Sequence, residues 1–248
     1  LKRRENPKGK WSKSIPSTRS LDNFALPMIL SNLAMEIDHL LDENEIQRHS
    51  YEIADQILNR FYRPELGIVL ENICPDGSLS DTFDGRLVLP GHAIEAMWFL
   101  MDLGERFNER EWIEKAASIT HRMIDYGWDH SDGGLFYYLD RKGAPPQQLE
   151  WSQKLWWVHL ETTIALIKAY RWTGESKSLE WFQRVHDYNW NHFRDPDFPE
   201  WFGYLDRHGD LNMSLKGGKW KGCFHVPRAL FQIWKTLETL PDIESETT

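Results

Sequence analysis

Three histidines recur at near-constant spacing in this 248-residue chain: His92, His159 and His225, separated by 67 and 66 residues. Each ends a loop containing Gly or Trp (GRLVLPGH, QKLWWVH, GGKWKGCFH) and opens a run with helical apolar spacing. Each has a charged companion within one turn: Glu95 after His92, Glu161 after His159 and Arg228 after His225. Residues three apart share a helix face, so Glu95 and Arg228 point with their histidines; Glu161, two positions on, matches less well. Imidazole titrates near neutrality and can take and return a proton. Two such bases on opposite faces of one carbon can invert it, one removing the proton and the other replacing it. The carbon must sit beside a carbonyl, as in an opened aldose, and the oxyanion formed needs positive charge or hydrogen-bond donors. Arg228 and a helix N-terminus are candidates for that role, while Glu95 and Glu161 can hold hydroxyls or orient imidazoles. The competing reading makes Glu95 and Glu161 the acid pair of a glycosidase, a chemistry that does not need two histidines in phase. The histidines lack metal-ligand spacing, and no metal is expected.

The elements that position these residues repeat with the same period. YLDRKG at 138–143 returns as YLDRHG at 204–209, and PDG at 75–77 is a weaker copy, so Gly77, Gly143 and Gly209 are spaced by 66 residues. β-prone stretches at 66–72, 133–139 and 201–205 precede these glycines, which predicts a short hairpin in each unit. Helical patterns span 22–42 and 45–62, 91–106 and 110–126, 153–173 and 177–193, then 223–239. Repeated helix pairs form a solenoid or a closed toroid, and in-phase histidines would converge at one mouth of a ring. A ring of six pairs needs about 400 residues at this period, and this chain holds only some of them. The expected organisation is one domain over 1–248, with a basic loop at 1–20 and a frayed acidic tail at 241–248. The chain opens on Leu1 rather than Met, and further residues upstream are expected.

A formal net charge of -9 argues against a nucleic-acid partner, for which a basic face is needed. No apolar run approaches the ~18 residues of a membrane span, and no signal peptide is evident. Cys74 and Cys223 have no metal spacing and are too few for a disulfide scaffold, so they read as reduced thiols in a cytoplasmic protein. Thirteen tryptophans suit a cleft that stacks on the C–H faces of a sugar, although large aromatics also fill ordinary cores.

The segments GRLVLPGHAIEAMWFLMD, LEWSQKLWWVHLET, EWFGYLDRHGDL and KGGKWKGCFHVPRAL resemble the N-acylglucosamine 2-epimerase family, in the family's order. ALPMILSNLAMEI and ENPKGKWSKSIPSTR are similar to its upstream segments, so the resemblance covers residues 3–239, with bacterial and cyanobacterial members the most alike. It implies an all-α (α/α)6 barrel with short β-hairpins between helix pairs, here lacking its N-terminal pairs. It implies reversible interconversion of N-acetyl-D-glucosamine and N-acetyl-D-mannosamine, with His92 and His225 as acid and base at C2. Glu95, Glu161, Arg228 and His159 match substrate-binding positions, and Trp157 and Trp220 border the sugar. The family's upstream active-site Arg has no counterpart here. Cellobiose 2-epimerases and mannose isomerases share the barrel and the histidine pair; the KGGKWKGCFHVPR block favours the N-acyl subgroup. Mammalian members bind renin, so a non-catalytic sugar- or protein-binding role is the contrasting class.

The resemblance further implies a cytoplasmic homodimer activated, without consumption, by ATP. The basic loop carries Arg3, Arg4, Lys8, Lys10 and Lys13 around Gly9, which suits phosphates although it is not a Walker A sequence. Replacing Lys10 and Lys13 by Ala is expected to abolish stimulation by ATP while leaving basal turnover; unchanged stimulation in a rate assay places the nucleotide elsewhere.

Overall fold

A computed structural model describes residues 20–240. Lys8, Lys10 and Lys13 of the basic loop, and the acidic tail, lie outside the described residues. The three repeat glycines share one backbone conformation, with φ of 82°, 73° and 88° at Gly77, Gly143 and Gly209. Only glycine adopts that left-handed region at no steric cost. Each glycine N–H closes a turn onto a carbonyl three residues back, that of Cys74, Asp140 or Asp206. In the latter two turns the aspartate side chain also accepts the N–H of Lys142 or His208, each at 2.8 Å.

Helices α1 (Ala25–Glu36), α2 (Glu43–Asp55), a one-turn α3 (Phe83–Arg86), α4 (Pro90–Phe107), α5 (Arg110–Gly127), α6 (Trp156–Thr173), α7 (Ser176–His192) and α8 (His225–Glu238) account for about half of the described residues. The helical runs expected from sequence match seven of these, but 22–42 and 45–62 overrun the ends of α1 and α2 by six and seven residues, the second run continuing as a π-helical turn at Gln56–Phe61. Physical stop signals account for those ends. Asp42 caps α2 through the N–H groups of Asn44 and Glu45, and Pro90 occupies the first turn of α4. Asn108 and Gly174 take left-handed backbone after α4 and α6. Helices α4 and α6 are buried nearly all round, whereas α2, α5 and α7 bury one face only. α1 packs on α4, α4 on α6 and α6 on α8, so these four form an inner row; α2, α5 and α7 pair with them from outside.

The strands are short: β1 (Asp22–Asn23), β2 (Tyr62–Arg63), β3 (Ile68–Val69), β4 (Asn72–Ile73), β5 (Leu87–Val88), β6 (Leu139–Asp140), β7 (Lys154–Leu155), β8 (Tyr204–Leu205) and β9 (Leu211–Met213). They correct the expected hairpins. A local hairpin surrounds Gly209, where β8 pairs with β9, and β2 pairs with β3 before the first turn. The segment before Gly143 instead pairs across the unit, Leu87 with Asp140 and Val88 with Leu139. The same cross-unit pairing joins β1 to β4 and β7 to β8. In each unit, the strand leading into the inner helix pairs with the strand returning from the outer one. Antiparallel helices bring those two ends together, and the backbone groups there need partners.

One buried ion pair fixes the entry to α6. Lys154 Nζ lies 2.9 Å from Asp129 Oδ2, and Lys154 has no exposed surface. Asp129 also accepts the N–H groups of Ser131 and Asp132, which ties the turn after α5 to the strand before α6. Lys154→Met would leave the buried Asp129 carboxylate with only the exposed guanidinium of Arg207, 3.7 Å away. We expect a loss of about 3–5 kcal/mol in urea unfolding.

Candidate active site

His92 and His225 both stand at the start of inner helices and share one indole. Their ring centroids lie 5.4 and 5.8 Å from that of Trp157. Close approach of α4 and α6 here depends on Gly91, where an added Cβ would come within 2.7 Å of the Trp157 ring.

Each imidazole has a carboxylate at Nδ1. Glu71 lies 3.1 Å from His92 Nδ1, and Glu161 lies 2.7 Å from His225 Nδ1. An ionised carboxylate can only accept, so Nδ1 carries the proton in both rings and Nε2 is left for chemistry. Burial alone would lower the pKa of His92, but the charge and hydrogen bond of Glu71, helped by Glu95, raise it overall.

Behind the histidines, Arg228 Nη2 sits 2.5 Å from Glu95 Oε1 and 2.7 Å from Glu161 Oε1. Its guanidinium is walled by the rings of Phe224, Trp98 and Phe99. The Trp98 indole donates to Glu161 Oε2 at 2.8 Å. Burial and the charge of Glu161 push Glu95 up, against the pull of Arg228. Burial would also raise Glu161, but its hydrogen bond to His225 and the charges of Arg228 and His225 hold it down. Glu95, Glu161 and His225 bring their ligand atoms within 4.8 Å of one another, as a metal site would. Arg228 supplies the cation at that spot. The same clamp bears on the glycosidase reading, because the two carboxylates share a guanidinium nitrogen instead of flanking a free bond.

A cavity of about 460 Å³ opens beside His225. Trp156, Trp157 and Trp220 give it aromatic faces, Tyr137, Tyr138 and Tyr204 give it phenols, and Glu150 and Gln153 complete its rim. Burial raises the pKa of all three phenols, so they remain protonated donors. His225 lines this cavity, whereas His92, Glu95, Glu161 and Arg228 are not part of its wall.

Residues 3–229 match the family model described as N-acylglucosamine 2-epimerase (GlcNAc 2-epimerase). The chain belongs to this family. It is 38% identical to the N-acylglucosamine 2-epimerase of Bos taurus over 96% of its own length and 57% of that protein's. Against the Homo sapiens protein of the same name, identity is 37% over 91% of the chain and 53% of the relative. The chain thus spans little more than half the length of these relatives. A solved D-mannose isomerase superposes with a TM-score of 0.74 at 20% identity, over 89% of this chain and 58% of that one. The fold is that of the (α/α)6 barrels, of which the described residues form an arc.

Within this family framework, the in-phase position of His159 does not put its ring beside the other two. The ring has no exposed surface. Its Nδ1 donates to the Leu155 carbonyl at 2.7 Å and its Nε2 accepts the Leu135 N–H at 2.8 Å, so neither nitrogen is free for a sugar. It stacks on Tyr188 of the outer helix α7 at 5.1 Å. The α6 residues that reach the other two histidines are instead Trp157 and Glu161, four apart and therefore on one face. That spacing was visible in the sequence. Glu71 was not expected: it lies 21 residues before His92 in a β-prone run, with no local pattern to mark it.

Burial presses the pKa of His159 down to about 3. The unfolded chain protonates this residue near the ordinary 6.5, so native stability falls as pH drops through 6.5 and continues falling toward 3. His159→Gln should flatten that part of the slope and cost about 1–3 kcal/mol at pH 7 by disturbing two buried hydrogen bonds. Urea unfolding at several pH values measures both effects, while turnover at neutral pH should stay near wild type.

Proposed function

We propose that this chain carries the proton-transfer part of an enzyme that interconverts N-acetyl-D-glucosamine and N-acetyl-D-mannosamine at C2. The observation that carries this reading is the pair of imidazoles, each held at Nδ1 by a buried carboxylate and both packed on the Trp157 indole. In the opened sugar one Nε2 removes the C2 proton. The C–H electrons form a C1–C2 double bond and the carbonyl oxygen takes the negative charge. The other imidazole then delivers a proton to the opposite face, and the C1 carbonyl re-forms. The phenols of Tyr137 and Tyr204 are available to the developing oxyanion, and the faces of Trp157 and Trp220 to the sugar's C–H groups. Glu161 serves the substrate through His225, which it holds, and Arg228 and Glu95 act through Glu161. Similarity to the N-acyl enzymes extends over nearly the whole chain, whereas the Marinomonas mediterranea D-mannose isomerase matches over 60% of it at 27% identity. That contrast supports the N-acyl substrate.

Activation by ATP through Lys8, Lys10 and Lys13, a homodimer and a cytoplasmic location are further parts of this proposal. They rest on the family resemblance. No helix among the described residues is long and apolar enough to cross a membrane.

His92→Asn and His225→Asn should each slow epimerisation by about 10²-fold or more, the usual scale for a general acid or base. In heavy water the full-length wild-type protein should wash deuterium into C2 of N-acetylmannosamine. Absence of exchange would sink the proton-transfer mechanism.

A further inference from the structure

The two histidine–carboxylate pairs are not equivalent. Glu161 divides its charge among three donors: His225 Nδ1, the permanent cation Arg228 and the Trp98 indole. Glu71 accepts from His92 Nδ1 at 3.1 and 3.3 Å and from the neutral amide of Asn23 at 3.3 Å. Among the described residues no lysine or arginine is paired with Glu71, whose ion-pair partner is His92. The carboxylate is also held in place: the Glu71 N–H bonds to the Leu87 carbonyl and the Glu71 carbonyl accepts from Phe24 N–H. Only 7% of the residue is exposed.

We propose that Glu71 is the positioning residue that keeps the resting proton of the two-histidine pair on His92, leaving His225 as the neutral base. This rests on the reading under Proposed function and extends it to the division of labour. A buried carboxylate with no other cation among the described residues is best satisfied by an imidazolium. Glu161 already has Arg228 and needs no second positive charge. The other groups facing His92 agree with this assignment. Glu95 lies one turn along α4 and is anionic or neutral, never positive, and Trp157 of α6 is uncharged. Tyr137 and Tyr138, which sense Glu71, are neutral phenols. In this state His225 Nε2 removes the C2 proton from the epimer that presents it there, and the Nε2 proton of His92 goes to the opposite face. The enzyme then holds its proton on His225, and exchange with water returns it to His92 before the next turnover in that direction.

The test uses full-length Glu71→Gln and Glu71→Asp, with kcat/KM for both N-acetylhexosamines measured across pH. Glu71→Gln keeps the shape but removes the charge. Its activity at neutral pH should fall about tenfold or more, and the alkaline limb, where the pair loses its proton, should move to lower pH. Glu71→Asp should recover part of both. In heavy water Glu71→Gln should return more deuterium into the recovered starting sugar, relative to product formed, than the wild type does. The reason is that an enolate formed by either imidazole now lacks a proton donor on the opposite face and is reprotonated by the base that formed it. An unchanged alkaline limb with a wild-type ratio of exchange to product overturns the role of Glu71 while leaving the two-histidine reading intact. Lack of exchange by the wild type overturns that reading instead. Thermal melting checks the fold. If Glu71→Gln melts early, Glu71→Asp carries the test, with a smaller acid shift expected and an unshifted limb counting against the proposal.

Discussion

Glu161 holds a negative charge with no exposed surface, and the geometry around the histidines follows from how that charge is satisfied. A buried carboxylate without hydrogen bonds or a counter-charge would take up a proton or unfold its surroundings. Here it draws Arg228 and His225 from α8 and Trp98 from α4 onto one residue of α6. Three inner helices are therefore locked at a single point. The lock fixes the ring plane of His225 and the tautomer that leaves its outer nitrogen basic. Arg228 also holds Glu95 of α4, so the interaction spans the arc.

The repeat supplies the frame on which this lock is built. Each unit closes by pairing the strand that enters its inner helix with the strand that leaves its outer one. That pairing sets the level at which each inner helix begins, and hence the level of His92 and His225. The Lys154–Asp129 pair does the same for α6, whose first turn contributes Trp157. Glu71 also belongs to this layer, since its backbone bonds to residues beside the entries to α1 and α4. A carboxylate held by backbone geometry is well suited to steady an imidazole.

The repeat also shows what in-phase sequence cannot decide. His159 sits at the helical position that phase assigns it, yet its ring turns back along its own helix and toward α7. Trp157 occupies the space beside the histidine pair, and a third imidazole there would have to displace the indole both other rings pack on. The in-phase histidine became part of the core, neutral and saturated with hydrogen bonds.

The sequence by itself determined the helices, because apolar periodicity and end signals are local properties of the chain. It also determined the repeat, through glycines that a left-handed turn requires, and two of the site's imidazoles, through their position at helix starts. The companions at i+3, Glu95 and Arg228, were legible because one helical turn fixes a face. Tertiary structure alone decided that Arg228 meets Glu95 across 133 residues, that β6 pairs with β5, and that Glu71 stands behind His92. Those contacts join residues far apart in the chain, and their partners are selected by which buried charges and backbone groups would otherwise go unsatisfied. No local spacing encodes that selection.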